Sequence, residues 1–114
     1  MTATKLTLLN TSILTSFGTY VYTPLTLEEA RDLVGEFRWE GKPIQSAIGH
    51  QATAELLSSL LGISVAANRI KHRQTVEDAA LIFKLKGRPP QGKILSREEL
   101  EEQGYEFGLL QRVE

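Results

Sequence analysis

Thr26-Leu27-Glu28-Glu29-Ala30-Arg31-Asp32-Leu33-Val34-Gly35-Glu36-Phe37 opens with a capping box and continues as an amphipathic helix. The Thr26 hydroxyl accepts from a free N–H of the first turn, and Glu29 reaches back to the cap residue. Ala30, Leu33, Val34 and Phe37 then recur at helical spacing and define a face to bury. Upstream, Lys5-Leu6-Thr7-Leu8-Leu9 reads as a strand that ends at the polar cluster Asn10-Thr11-Ser12. Tyr20-Val21-Tyr22 is a second, short β-prone run, stopped by Pro24. Downstream, a helix runs from Gly49 or His50 to Leu61, carries Leu56, Leu57, Leu60 and Leu61, and is closed by Gly62. Ser96-Arg97-Glu98-Glu99 is another capping box, with Leu95 and Leu100 placed as a hydrophobic staple, and its short helix ends at Gly104. Tyr105 to Val113 reads as the last strand. Strands interleaved with about three helices predict a small α/β domain with a mixed β-sheet, one unit spanning residues 1–114.

The segment from Arg69 to Arg88 reads as a basic β-hairpin. In its second half, Lys84, Lys86 and Arg88 alternate with Leu81, Phe83 and Leu85. In its first half, Arg69, Lys71 and Arg73 share a face, with His72 on the other. A two-residue loop at Glu77-Asp78 would set Lys71 opposite Lys84 and Arg69 opposite Lys86. Like charges directly opposed are unfavourable, so such a face calls for an anion or for an acidic helix to cover it.

Composition narrows the chemistry. The 114 residues include no cysteine, which excludes disulfide scaffolds, thiolate zinc sites, iron–sulfur clusters and cysteine nucleophiles. Two histidines make a dedicated metal site a poor reading, so no metal and no cofactor are expected. No apolar run approaches a membrane span and no signal-peptide pattern opens the chain; a cytoplasmic protein is expected, with no membrane partner. The net charge is −1, yet seven of the thirteen Lys and Arg residues fall between Arg69 and Lys93. A locally basic segment in a neutral protein fits a confined anionic ligand better than a long polyanion.

Among residues able to carry chemistry, His50 follows Gly49 at the start of a helix, where free N–H groups and the helix dipole favour phosphate. A histidine there can touch a phosphate and exchange a proton near neutral pH. His72 reads as structural or solvated. Asn10, Thr11 and Ser12 follow a strand end, where α/β sheets bind ligands, although taken alone they read better as a simple polar turn. Arg88-Pro89-Pro90-Gln91-Gly92-Lys93 is a rigid basic turn that reads equally as a phosphate site with Arg88 as fork donor or as a loop kept soluble by its charges. There is no P-loop, no dinucleotide-binding glycine fingerprint and no nucleophile elbow.

Taken in order, several residues resemble one family. Ile44-Gln45-Ser46-Ala47-Ile48-Gly49-His50, a helix ending Leu60-Leu61-Gly62, Asn68-Arg69, and Arg88 four residues before Gly92-Lys93-Ile94-Leu95 resemble the viral anti-CRISPR ring nucleases of type III defence and their relatives in bacterial CRISPR loci. The resemblance implies a homodimeric α/β enzyme that binds cyclic tetra-adenylate. It further implies cleavage, without metal, to linear di-adenylates ending in a 2′,3′-cyclic phosphate, which switches off the antiviral response. Carried over residue by residue, His50 matches the catalytic histidine and Arg69 and Arg88 the phosphate-facing arginines. Asn10 matches a ligand-loop asparagine, and Thr11, Ser12, Gly49, Gln91 and Lys84 fall among the expected substrate contacts. Gln91 stands where the family has a glutamate, and Ala52 where it has a serine. Two alternatives stay open at this level. One is a non-catalytic sponge for cyclic oligoadenylate; the other is a small module that contacts nucleic acid or protein through the basic segment.

Overall fold

The sheet is built around β1 (Lys5–Leu9), which lies between two parallel neighbours, β3 (Ile44–Ser46) and β4 (Asp78–Leu85). The computed structural model describes residues 3–11, 16–70, 72, 74–86 and 96–114. Among these, five strands form one mixed sheet in the order β2-β5-β4-β1-β3, with β2 (Tyr20–Leu25) and β5 (Tyr105–Arg112) paired antiparallel at the far side. Helices α1 (Leu27–Trp39), α2 (Gln51–Leu61) and α3 (Arg97–Gln103) complete the described elements.

Both expected capping boxes are present. Thr26 and Ser96 accept from the backbone N–H groups of Glu29 and Glu99, and those glutamates accept from the cap residues in return. The apolar stripe of α1 (Ala30, Leu33, Val34, Phe37) and that of α2 (Leu56, Leu57, Leu60, Leu61) join Leu100 of α3 on one face of the sheet. There they meet Leu6, Leu8, Ala79, Leu81, Phe83, Phe107 and Leu109. The opposite face carries a smaller cluster of Leu9, Ala80, Ile82 and Leu110, with Tyr20 and Ala47 packed against it.

The basic hairpin does not form. Both edges of β4 are taken, one by β1 and the other by β5, so no place remains for a strand from residues 69–77. The unbroken run from Ala79 to Phe83 is buried on both faces, as a central strand requires, and the alternation read at its end covers only the last turns of the pleat. Lys84 therefore registers opposite Glu106, and the Lys86 N–H donates to the Gly104 carbonyl. Of the two residues expected opposite them, Arg69 lies against Gly49 instead, and Lys71 lies outside the described residues.

Gln74, from the same stretch, packs into the sheet instead. Gln74 is fully buried, and its amide donates to the carbonyls of Asp78 (2.9 Å) and Leu110 (3.3 Å). Its Oε1 is then the acceptor for His72 Nε2 at 2.7 Å, so that nitrogen carries a proton and His72 serves the fold.

Two further differences are short-range. Pro24 lies within β2 rather than ending it, which the edge position of that strand allows. Residues 44–46 form a strand too short to show a period-2 pattern in the sequence.

Candidate functional site

The site grows from the C-terminal ends of the parallel strands. In the β1–β3 ladder Leu8 registers with Ser46, and the Ala47 N–H donates to the Leu8 carbonyl at 2.9 Å. Past that point β1 delivers Asn10, half-buried, and Thr11, exposed, while β3 leads through Gly49 to His50. His50 is the N-cap of α2, with extended backbone angles (φ −118°, ψ 128°). Its ring makes no capping bond and, among the described residues, no other hydrogen bond; it is exposed to solvent.

The chain then turns back. Gly62 ends α2 in the left-handed region at φ 71°, where a side chain would be strained. The Ser58 hydroxyl accepts from the Val65 N–H at 2.9 Å and fixes the start of the return limb. Residues 66–69 run in the same direction as residues 46–49, beside them. Their links are Ser46 Oγ to the Ala66 carbonyl (2.6 Å), Asn68 Nδ2 to the Ser46 carbonyl (2.8 Å) and the Asn68 N–H to the Ile48 carbonyl (2.7 Å).

Arg69 follows directly. Its Nε donates to the Gly49 carbonyl at 3.1 Å, and its stem lies across Gly49, where an added Cβ would sit 3.3 Å from Arg69 Cγ. A side chain at Gly49 would press the arginine stem back by a few tenths of an ångström, one residue before His50. With Nε committed, Nη1 and Nη2 have no partner among the described residues, and Arg69 as a whole is exposed. A guanidinium held by one nitrogen keeps a two-pronged donor for a phosphate.

The sheet thus brings together Asn10, Thr11, Gly49, His50 and Arg69 at one end. Lys84, near the end of β4, is engaged elsewhere: its Nζ lies over the Tyr22 ring, 5.6 Å from the centroid. That ring rests on Gly108, whose place in β5 admits no Cβ without overlap, and burial, then the nearby Glu106 charge, raise the Tyr22 phenol pKa. Ser12, Arg88 and Gln91 lie outside the described residues. Among the described residues no three His, Asp or Glu side chains converge as a metal site, and no helix is long and apolar enough to cross a membrane.

Ser46 and Asn68 carry no assigned role in the reading of the sequence, although both sit in the stretches that carry the family resemblance. Their bonds join residues about twenty positions apart, and such links leave no local sequence pattern.

Comparison with known proteins agrees with this frame. The family model described as STIV B116-like matches residues 6–107. YddF of Bacillus subtilis (strain 168) is 34% identical over 110 residues, covering 96% of this chain and 99% of that protein. Protein 26 of Sulfolobus islandicus filamentous virus is 37% identical over 90 residues, covering 78% and 72% respectively. The solved structure of B116 of Sulfolobus turreted icosahedral virus superposes with a TM-score of 0.81 at 26% identity, over 95% of this chain and 99% of that one.

Proposed function

The chain belongs to the STIV B116-like family, and within it we propose that this protein is a ring nuclease acting on cyclic tetra-adenylate. One observation carries the reading: Arg69 is hydrogen-bonded through Nε to Gly49, next to His50 at the start of α2, and its two terminal nitrogens have no partner among the described residues. A side chain able to deliver a proton, a phosphate fork and the N–H groups of a helix start form a phosphodiester site that needs no protein nucleophile. The ordered match of residues 44–50, 60–62, 68–69, 88 and 92–95 to the ring nucleases supports the same assignment.

The chemistry uses the ribose as its own nucleophile. The 2′-hydroxyl gives up its proton to solvent water, its oxygen bonds to the adjacent phosphorus, and the bond from phosphorus to the 5′-oxygen breaks. His50, protonated, passes its proton to that leaving oxygen, which ends as a free 5′-hydroxyl. The phosphorus is left in a 2′,3′-cyclic phosphate. Arg69 steadies the charge that builds on the equatorial oxygens, and Arg88 is assigned the second such role from its place before Gly92-Lys93. The site holds the 2′-oxygen, phosphorus and 5′-oxygen in line, which is where most of the acceleration originates. Two cleavages on opposite sides convert the ring to two di-adenylates. A two-fold ring suits a two-fold homodimer with one His50 for each opposed phosphate.

The test is incubation of radiolabelled cyclic tetra-adenylate with the protein in excess EDTA. Linear di-adenylate with a cyclic-phosphate end is the expected product. An intact ring that stays bound to the protein would make it a sponge, and a ring neither bound nor broken would overturn the assignment.

A further inference from the structure

We propose that Asn68 is the positioning residue of this site, holding Arg69 at a fixed offset from His50; the inference rests on the ring-nuclease reading for its catalytic consequence. Two limbs flank α2. The first, residues 46–49, ends in His50, and the second, residues 66–69, ends in Arg69. They lie side by side outside the sheet proper, since β3 stops at Ser46 and the return limb is not a strand. No continuous ladder therefore sets their relative height.

Side chains replace the ladder. Asn68 is the centre, because its backbone N–H reaches the Ile48 carbonyl (2.7 Å) and its side-chain amide reaches the Ser46 carbonyl (2.8 Å). One residue thus spans two successive outward carbonyls of the first limb and fixes both height and direction. Ser46 adds a second tie through its hydroxyl to the Ala66 carbonyl at 2.6 Å, and the Ile48 N–H donates back to that hydroxyl at 3.3 Å. The Arg69 Nε bond to the Gly49 carbonyl is the next rung in the same series. Each rung is exposed or half-buried, so losing one costs the fold little. A displacement of about 1 Å between reacting groups, by contrast, can cost about a hundredfold in rate.

Geometry also decides which replacements fail. An aspartate at position 68 keeps size and backbone bond but has no donor for the Ser46 carbonyl, so it sets oxygen against oxygen. Asn68→Asp is therefore expected to fail as Asn68→Ala does. Removing Ser46 and Asn68 together should lose no more than the worse single change, because both belong to one clamp.

The experiment uses the full chain and has two readouts. Single-turnover cleavage of labelled cyclic tetra-adenylate should slow about 10- to 100-fold in Asn68→Ala and Asn68→Asp, with affinity for the ring within about threefold and the melting temperature nearly unchanged. Independently of activity, hydrogen exchange of Arg69 Nε–H by NMR should quicken at least about tenfold in both variants, because its bond to Gly49 is no longer held in place. Wild-type cleavage with unaltered rates in the variants overturns the positioning role, as does unchanged Nε–H protection. If the wild type leaves the ring intact, the ring-nuclease reading fails, and the exchange measurement still decides whether Asn68 positions Arg69.

Discussion

Arg69 shows how much of this site depends on one side chain's shape. Its Nε is spent on the Gly49 carbonyl, next to His50, and its two terminal nitrogens have no partner among the described residues. A lysine keeps the charge but cannot both hold Gly49 and present a fork. Arg69→Lys should therefore reduce single-turnover cleavage by about 10- to 100-fold, the equivalent of one or so charge-assisted hydrogen bonds at roughly 1.5–3 kcal/mol. Activity within twofold of wild type would show that bare charge is enough. His72 makes the contrast: its ring is tied to the buried Gln74, which in turn donates to Asp78 and Leu110. The two histidines of the chain thus divide cleanly, one serving the interior and one left to solvent at a helix start.

At the scale of elements, the centre of the sheet carries the stability. Phe83 on β4 is fully buried, with the rings of Phe107 and Tyr105 at 5.3 and 5.9 Å between centroids. Phe83→Ala should destabilise the fold by about 3–5 kcal/mol in denaturant unfolding. A loss below about 1 kcal/mol would mean that β4 is not the central strand described. The elements legible in the sequence were those with a local chemical signature. Thr26 with Glu29 and Ser96 with Glu99 announce α1 and α3, and Gly62 closes α2, because caps are built from neighbouring residues. Strand pairing has no such signature. Lys84 and Lys86 alternate correctly, but nothing local says that β4 is flanked by β1 and β5 rather than by residues 69–73. For the same reason the helix start at His50 was legible, whereas the Ser46–Asn68 clamp required the fold to bring distant residues together.

The whole molecule is near neutral, and four of its described cations each have a different neighbour. Arg69 lies by Gly49, Lys84 over Tyr22, Lys86 against Gly104 and Lys5 toward Asp78 at 3.6 Å. A homodimer would set two His50 residues about a two-fold axis to match the symmetry of a cyclic tetranucleotide. Sedimentation equilibrium is expected to give twice the mass of the chain at concentrations where the ring is cleaved. A fully active monomer would contradict that arrangement.

The central claim is that His50 delivers the proton to the leaving oxygen. Its most direct test is single-turnover cleavage of cyclic tetra-adenylate by wild type and His50→Ala, each with its affinity for the intact ring measured alongside. The account predicts equal binding and a rate lower by about 10²–10⁴-fold in the variant. A variant that cleaves as fast as wild type would contradict it, and so would a wild type that leaves the ring whole.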